Sequence, residues 1–282
     1  MTRLLKTLCL LVSLLALGGC GAVNLVYNNA PTLLGSEFDD AFDLNDSQSE
    51  QVDQALEDFF AWHRKHELPR YQQILEEAAV AVNDGITATE MQTIYDHADA
   101  AARRSVAQLI DRIGALSIRL TPEQIDHYER YHQNRSSDFR DYLAMSEQQR
   151  EIFRVNRALK RLDDWLGNMD EWQQQRVGKK LATLPDVRST WIHFREQRHR
   201  MLVQAFRSAG ESGITAAELH FILLDPDSEH AREYAPVRKQ YRQEYAELAE
   251  ELNPEFTKAQ LRHASERLEY FAEIIEDLRD SS

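Results

Sequence analysis

The chain has 282 residues, enough for one or two domains with a substantial hydrophobic core. Its 47 Asp and Glu residues outnumber its 33 Lys and Arg residues, and the resulting charge of −14 argues against nonspecific nucleic-acid binding, which requires a basic surface. A hydrophobic content of 43%, with four Trp and eleven Phe, excludes an intrinsically disordered chain.

The first 19 residues have the features of a secretory signal peptide. Arg3 and Lys6 provide a positively charged start, and an apolar run follows from Leu8 to Leu17. A transmembrane helix needs about 20 apolar residues, so this run is too short to span a membrane. We therefore expect residues 1–19 to be removed on export, which leaves Cys20 as the only thiol and excludes an internal disulfide.

The residues Leu17-Gly18-Gly19-Cys20 resemble the lipobox of bacterial lipoproteins. In that class the peptidase cuts before the cysteine, whose thiol and new amine become acylated. The resemblance implies a covalent lipid on Cys20 and an anchor in membrane lipid, and we expect no other cofactor. Because Gly21 rather than Asp follows the cysteine, it also implies the periplasmic face of the outer membrane, with the inner membrane as the alternative. An ordinary signal peptide or a buried N-terminus would be a different interpretation.

Beyond the signal peptide, we predict a tether over residues 20–45, a main helical domain over 46–224 and a C-terminal helical hairpin over 225–282 that packs on the main domain. Pro226, in the stretch between residues 224 and 230, marks the last boundary. Within the tether, the apolar residues around Tyr27 and the fixed backbone of Pro31 predict that residues 25–34 pack on the helical body. A flexible leader is the alternative.

Helix starts are marked by capping boxes, in which a Ser, Thr or Asp is followed three residues later by Glu or Gln. They begin at Thr87, Thr121, Ser146, Asp170, Thr215 and Thr257. With apolar residues recurring every three or four positions, they predict helices over roughly 46–66, 70–83, 88–119, 122–144, 147–166, 170–182, 186–209, 215–224, 229–251 and 255–279. Short connections favour an all-α fold of long antiparallel amphipathic helices in a bundle-like array. Its apolar seams are expected to form the core, with an exposed seam for a partner helix as the alternative.

A first candidate site is formed by His63, His66 and Glu67, which share one helix face by their spacing. Imidazole and carboxylate ligands suit zinc, but the order differs from the helical motifs of zinc peptidases. The following Pro69 favours another interpretation, a hinge fixed by a pair between Glu67 and Arg70 and by aromatic packing.

A second candidate is a stripe of Arg188, Trp191, Arg195 and Arg198. On an acidic protein such arginines usually pair with neighbouring carboxylates, for which the guanidinium group is well suited. An anionic ligand, such as a lipid headgroup or a glycan, is the alternative. The chain has no G-x-S-x-G motif and no phosphate-binding Gly-rich loop, so we do not expect an enzyme.

Several motifs occur together along the chain. They are Tyr27-Asn28-Asn29-Ala30, Trp62-His63-Arg64, Glu67-Leu68-Pro69-Arg70-Tyr71, Asp138-Phe139-Arg140-Asp141-Tyr142-Leu143, Arg161-Leu162-Asp163-Asp164-Trp165-Leu166-Gly167, and Leu184-Pro185-Asp186 with Trp191 and Arg195. In this order, behind a lipobox, they resemble a family of bacterial lipoproteins known only as a domain of unknown function. The resemblance implies an all-helical envelope lipoprotein without known catalytic residues. We expect an interaction or scaffolding protein with an unidentified envelope partner, or alternatively a periplasmic protein that binds a metal or an anionic ligand.

Overall fold

The computed structural model describes residues 20–115, 119–225 and 232–280, and all regular secondary structure in these ranges is helical. The helices are α1 (Cys20–Asn28), α2 (Ala30–Phe42), α3 (Asp46–His66), α4 (Leu68–Asp84), α5 (Ala88–Ala115), α6 (Pro122–Asn134), α7 (Ser137–Ala144), α8 (Glu147–Leu166), α9 (Glu171–Leu181), α10 (Val187–Ala209), α11 (Ala216–Leu224), α12 (Tyr234–Leu252) and α13 (Lys258–Asp280). The predicted all-α fold is confirmed.

Capping boxes mark the starts of several of these helices, as predicted. At the start of α8, the Ser146 hydroxyl accepts from the backbone N–H of Gln149, and the Gln149 side chain accepts from the backbone N–H of Ser146. The same reciprocal pair begins α6, α9 and α11. An unpredicted capping box, between Asn45 and Gln48, begins α3. Orphan N–H groups are thereby satisfied at the starts of α3, α6, α8, α9 and α11.

The prediction of one helix over residues 122–144 is wrong, because the chain forms α6 and α7 there. The break lies at Arg135 and Ser136, and the backbone of Ser136 leaves the helical region with φ −95° and ψ 8°. The Ser136 hydroxyl donates to the backbone oxygen of His132 at 2.8 Å. A serine that bonds to the preceding turn competes with the helical ladder, which explains the interruption.

Residues 20–45, predicted as a tether, contain the two helices α1 and α2. Only Asn29 separates them, and Pro31 lies in the first turn of α2, where a missing N–H costs nothing. Asn29 and Pro31 mark the end of one helix and the start of the next, so the predicted tether is largely helical.

Helices α4 and α13 form the most extensive helix pair in the described part of the chain. Leu68 from α4 meets Phe271, Ile274 and Leu278 from α13 in a buried cluster that also receives side chains from α1. The predicted seam of α13 is therefore confirmed as core. Helix α12 packs on α5 and α10 rather than chiefly on α13. The division at residue 225 stays a prediction.

Two pairs of helix starts are joined by glutamines that belong to capping boxes. Gln48 of α3 and Gln124 of α6 are both buried, and each donates from Nε2 to the side-chain oxygen of the other, at 3.3 and 2.7 Å. Each Nε2 also donates at 2.8 Å to a backbone oxygen just before the partner helix, of Arg119 or Asp43. The two N-termini are thus connected by a symmetric polar contact.

The same arrangement joins α9 and α13. Gln173 and Gln260 exchange amide hydrogen bonds of 2.9 and 3.1 Å, and their Nε2 atoms also reach the backbone oxygens of Glu255 and Asn168. A glutamate in these positions could cap its own helix, but an ionised carboxylate could not donate to the partner. The hydrogen bonds between helices therefore explain why these four helix starts carry Gln and not Glu.

Candidate functional site

The helix that begins at Cys20 is docked on the body of the protein. Val23 and Tyr27, one turn apart on α1, are buried against the core cluster of α4 and α13. The Tyr27 ring meets Phe60 edge-on at 5.6 Å, and its hydroxyl lies 2.9 Å from Nδ1 of His63. The predicted packing of Tyr27 is confirmed.

A second layer of contacts fixes the end of α1. The Arg64 guanidinium lies 5.4 Å from the centre of the Tyr27 ring and donates at 2.8 Å to the Asn28 side chain. Burial raises the pKa of Tyr27 well above its ordinary value, although the charge of Arg64 acts in the opposite direction. Burial also lowers the pKa of His63 to about 4, against the charge of Glu67. His63 is therefore neutral at pH 7 and serves as a hydrogen-bond partner.

Glu67 lies at the break between α3 and α4 and is only 1% exposed. Its carboxylate accepts two hydrogen bonds from Arg104 of α5, at 2.9 and 3.1 Å. The predicted partner, Arg70, is farther away at 3.7 Å. The hinge expected from Pro69 is present. Its principal ion pair is between Glu67 and Arg104, which lies 37 residues farther along the chain. No local sequence pattern indicates that pair.

The three candidate metal ligands have separate surroundings. His63 is half-buried beside Tyr27, Glu67 is held by Arg104, and His66 is exposed and stacks on Trp62 with ring centres 5.8 Å apart. Across the described ranges, no three His, Cys, Asp or Glu residues come together as a potential metal site. The geometry thus assigns these side chains to the joint between α1, α3, α4 and α5.

The four residues of the predicted arginine stripe also differ in their surroundings. Arg195 is 4% exposed, donates to Glu196 at 2.7 Å and to Ser136 at 3.1 Å, and lies 4.6 Å above the Phe139 ring. Arg198 lies 5.1 Å from the centre of the Phe194 ring, and Trp191 packs edge-on against Phe139. Burial lowers the pKa of both Arg195 and Arg198.

Arg188, at the other end of the stripe, is stacked among aromatic rings. Its guanidinium carbon lies 4.8 Å from the ring centre of Tyr142 and 5.7 Å from those of Phe139 and Phe153. Its buried Nε has no hydrogen-bond partner among the described residues. The four residues therefore do not form one continuous surface, because Arg195 is internal and Arg188 is held by rings.

A histidine pair that was not predicted lies between α6 and α10. The rings of His132 and His199 stack with centres 3.4 Å apart and planes inclined by 6°. Both are buried, and in the described part of the chain Nδ1 of His132 and both ring nitrogens of His199 lack a hydrogen-bond partner. The nearest carboxylate, of Glu196, is 4.0 Å from Nδ1 of His132, and the Tyr128 ring lies against His199.

Burial and positive charge keep this histidine pair neutral. Burial lowers the pKa of His132 to about 2, and the neighbouring His199 and Arg195 act in the same direction. Burial lowers the pKa of His199 to about 4, with further effects from Arg195 and Arg200. His199 was visible in the arginine-rich stretch of the sequence, but His132 lies 67 positions away, and only the packing of α6 on α10 brings them together.

The helices and contacts described above define an all-helical protein. None of its described helices is both long enough and apolar enough to cross a membrane. Residues 40–235 match the family of unknown function DUF6279, and the chain belongs to that family. The match begins after the lipobox and after Tyr27-Asn28-Asn29-Ala30, so it does not extend to the lipidation signal. No curated protein and no solved structure matches the chain.

Proposed function

We propose that this protein is a lipid-anchored protein of the bacterial cell envelope, attached through Cys20 to the periplasmic face of the outer membrane. The lipobox Leu17-Gly18-Gly19-Cys20 and the signal-like residues before it support the anchor. Gly21 after the cysteine supports the outer membrane, and the inner membrane is the alternative.

The observation that carries this proposal is the docking of α1. Tyr27 is buried against the body only seven residues after Cys20, and a helix rises about 1.5 Å per residue. The body would therefore be held within about 10 Å of the acylated cysteine. Such a short, structured connection suits a protein that works at a fixed height above the lipid, whereas a long flexible tether would let it reach freely through the periplasm.

The anchor is tested by the Cys20→Ser variant in the native bacterium. We expect the wild-type protein to incorporate a labelled fatty acid and to sediment with outer-membrane fractions on a density gradient. The Cys20→Ser variant should remain unlabelled and unprocessed. Equal labelling of both proteins would contradict the lipid anchor, and labelled protein in the inner-membrane fraction would contradict only the location.

We further propose that the anchored body binds other envelope proteins and does not catalyse a reaction. The sequence contains no recognisable catalytic motif, and several large apolar side chains are exposed on the described surface. Photo-crosslinking residues at Val80 and Trp172, which are 68% and 60% exposed, should give discrete adducts in intact cells that mass spectrometry can identify. Absence of any adduct at both positions would count against a scaffolding role.

The rival function is a metal-dependent one that uses His63, His66 and Glu67. Measuring the metal content of protein purified without a His tag distinguishes this function from the scaffolding role. Stoichiometric zinc in the wild-type protein, lost when His63→Ala and His66→Ala are combined, would favour the rival. We expect no stoichiometric metal, because His63 is already hydrogen-bonded to Tyr27 and Glu67 is already paired with Arg104.

A further inference from the structure

Over residues 23–36, all of which the structure describes, the first two helices share one exposed face without a charged side chain. Leu25, Asn29 and Leu33 follow one another at intervals of four residues, which places them on the same side of a helix. The helical hydrogen bonds continue through the junction of α1 and α2, because the N–H of Asn29 donates to the Leu25 oxygen at 3.2 Å and the N–H of Leu33 donates to the Asn29 oxygen at 3.0 Å. This side of the two helices, which we call the N-terminal face, exposes Leu25, Asn28, Asn29, Thr32, Leu33 and Ser36.

Two leucines project outward from the N-terminal face. Leu25 is 66% exposed and Leu33 is 46% exposed. Val23 and Tyr27, two residues to either side of Leu25, are buried on the opposite side of α1. The Asn29 side chain lies in line between the leucines, and its Nδ2 donates at 2.7 Å to the backbone oxygen of Leu25. One of its two amide hydrogens is therefore already bonded, which lowers the cost of placing this amide next to an apolar phase.

The sequence around the N-terminal face is also free of charge. Residues 20–36 contain no Asp, Glu, Lys or Arg, although these types make up 28% of the chain. The exposed face of α3 is different, because it carries Glu50, Asp53 and Glu57, as a helix that faces water normally does. A helix on lipid avoids such side chains, because a charge is costly to move out of water and an acid is also repelled by anionic headgroups. The composition of the N-terminal face therefore favours lipid over water as its surroundings.

The distances from Cys20 favour one orientation of α1 on a membrane. Leu25 and Leu33 follow Cys20 by five and thirteen residues, which corresponds to about 8 and 20 Å along the two helices. If α1 stood upright on the lipid, both leucines would lie in water above an acylated Cys20. If α1 and the start of α2 run along the surface instead, both leucines reach the lipid. The docked side chains of Val23 and Tyr27 then hold the helical body on the side away from the bilayer.

We propose that the N-terminal face lies on the lipid bilayer, with Leu25 and Leu33 inserted among the headgroups and α1 parallel to the membrane surface. Amphipathic helices that lie in this way bury their apolar side about 5–10 Å deep. The inference rests on the proposed anchor, because an acylated Cys20 is what brings the face to the membrane. It adds an orientation to the proposed anchor, and it assigns the bilayer, and not a protein partner, to this face.

Single-cysteine probes on the mature chain, residues 20–282, test this contact. Cys20→Ser removes the only thiol of that chain, so Leu25→Cys, Leu33→Cys and Val80→Cys can each be labelled with the same environment-sensitive fluorophore. An N-terminal His tag and a nickel-chelating lipid, in place of the acyl chains, attach each protein to vesicles of phosphatidylethanolamine and phosphatidylglycerol. Val80 is the matched control, because it is 68% exposed but lies on α4, outside the N-terminal face.

Quenching of the fluorophore reports whether each position is in lipid or in water. We expect lipids with a nitroxide on the upper acyl chain to quench the probes at positions 25 and 33 at least threefold more than the probe at position 80. Iodide, which stays in the water, should give the opposite order. Equal acyl-chain quenching at the three positions, or none at positions 25 and 33, would overturn the proposal. All three side chains are exposed, so each variant should keep the wild-type fold, which the melting temperature of the unattached protein checks.

Two further comparisons separate the lipid contact from self-association and from the anchor. A blue shift of the probes without vesicles, growing with protein concentration, would assign the N-terminal face to a second copy of the chain and overturn the lipid contact. Because the tag replaces the acyl chains, the quenching does not depend on acylation in the cell. Quenching at positions 25 and 33 in a protein that incorporates no fatty acid in the bacterium would support the contact and contradict the anchor alone. Fatty-acid labelling without that quenching would contradict only the lipid contact.

Discussion

Glu67 is a buried acid whose charge is balanced across a helix boundary. Glu67→Gln would keep the shape of the side chain but leave Arg104 without its counter-charge, so we expect the free energy of unfolding to fall by about 1–3 kcal/mol. The lower part of this range reflects the partial exposure of Arg104. Urea denaturation measures the effect. Glu57→Gln, an exposed change on the same helix, is the control and should have little effect.

The stacked histidines make stability depend on pH. In the unfolded chain His132 and His199 have pKa values of about 6.5, whereas in the folded protein the values are about 2 and about 4. Below pH 6.5 these two histidines therefore bind protons in the unfolded state but remain neutral in the folded state. The free energy of unfolding should fall as the pH drops from 6.5 to 4, by up to about 1.4 kcal/mol per pH unit for each histidine.

Chemical denaturation at several pH values checks this slope. Combining His132→Gln with His199→Gln should reduce the loss of stability between pH 6.5 and 4, although His63 contributes in the same range. His193→Gln changes an exposed histidine of α10 and should leave the slope unaltered. A double variant with the wild-type slope would mean that the stacked pair already accepts protons in the folded state.

At the scale of the helices, the paired glutamines connect helix starts that are far apart in sequence. Gln124→Glu should still cap α6, but it would lose the donor to Asp43 and place a carboxylate against the Gln48 oxygen. Because buried acceptors would be left unsatisfied, we expect a loss of about 2–4 kcal/mol in the free energy of unfolding. Gln149→Glu makes the same change in an exposed capping box and should be nearly neutral. Equal effects of the two changes would show that capping alone matters.

Two substitutions at Tyr27 distinguish the hydrogen bond from the apolar contact by which α1 packs on the body. Tyr27→Phe removes only the hydroxyl bonded to His63 and should cost about 1 kcal/mol. Tyr27→Ala also removes the buried ring and should cost about 3–5 kcal/mol, which lowers the melting temperature by several degrees. Leu25→Ala, at a position 66% exposed on the same helix, is the control. Thermal unfolding of the unlipidated protein would contradict the docking if all three variants melted like wild type.

Across the whole molecule, the features that could be predicted from the sequence are those with a local cause. The capping boxes at Thr121, Ser146 and Asp170 predicted helix starts because the two partners lie three residues apart. The periodic apolar residues of α13 predicted which face is buried. Even the break within residues 122–144 has a local cause at Ser136, but a single serine is too common in helices to predict one.

The remaining features depend on which helices meet, and that information is not local. The contacts of Glu67 with Arg104, of His132 with His199 and of Gln48 with Gln124 form only when the helices pack together. Both candidate sites were identified from clusters of charged residues close together in sequence. Their side chains turned out to be divided among different neighbours, because residues three or four apart on a helix face different partners at a helix end or at a crowded interface.

The docking of α1 also fixes an order of events during biogenesis. Val23 and Tyr27 are among the first residues of the described chain to be synthesised, yet their partners Phe271, Ile274 and Leu278 are among the last. A chain that emerges from its N-terminus can therefore dock α1 on α3 early, but α1 lacks the α13 part of its binding surface until α13 has been synthesised. Closure of α1 onto α13 would then be a late step of folding, which buries Val23 and Tyr27.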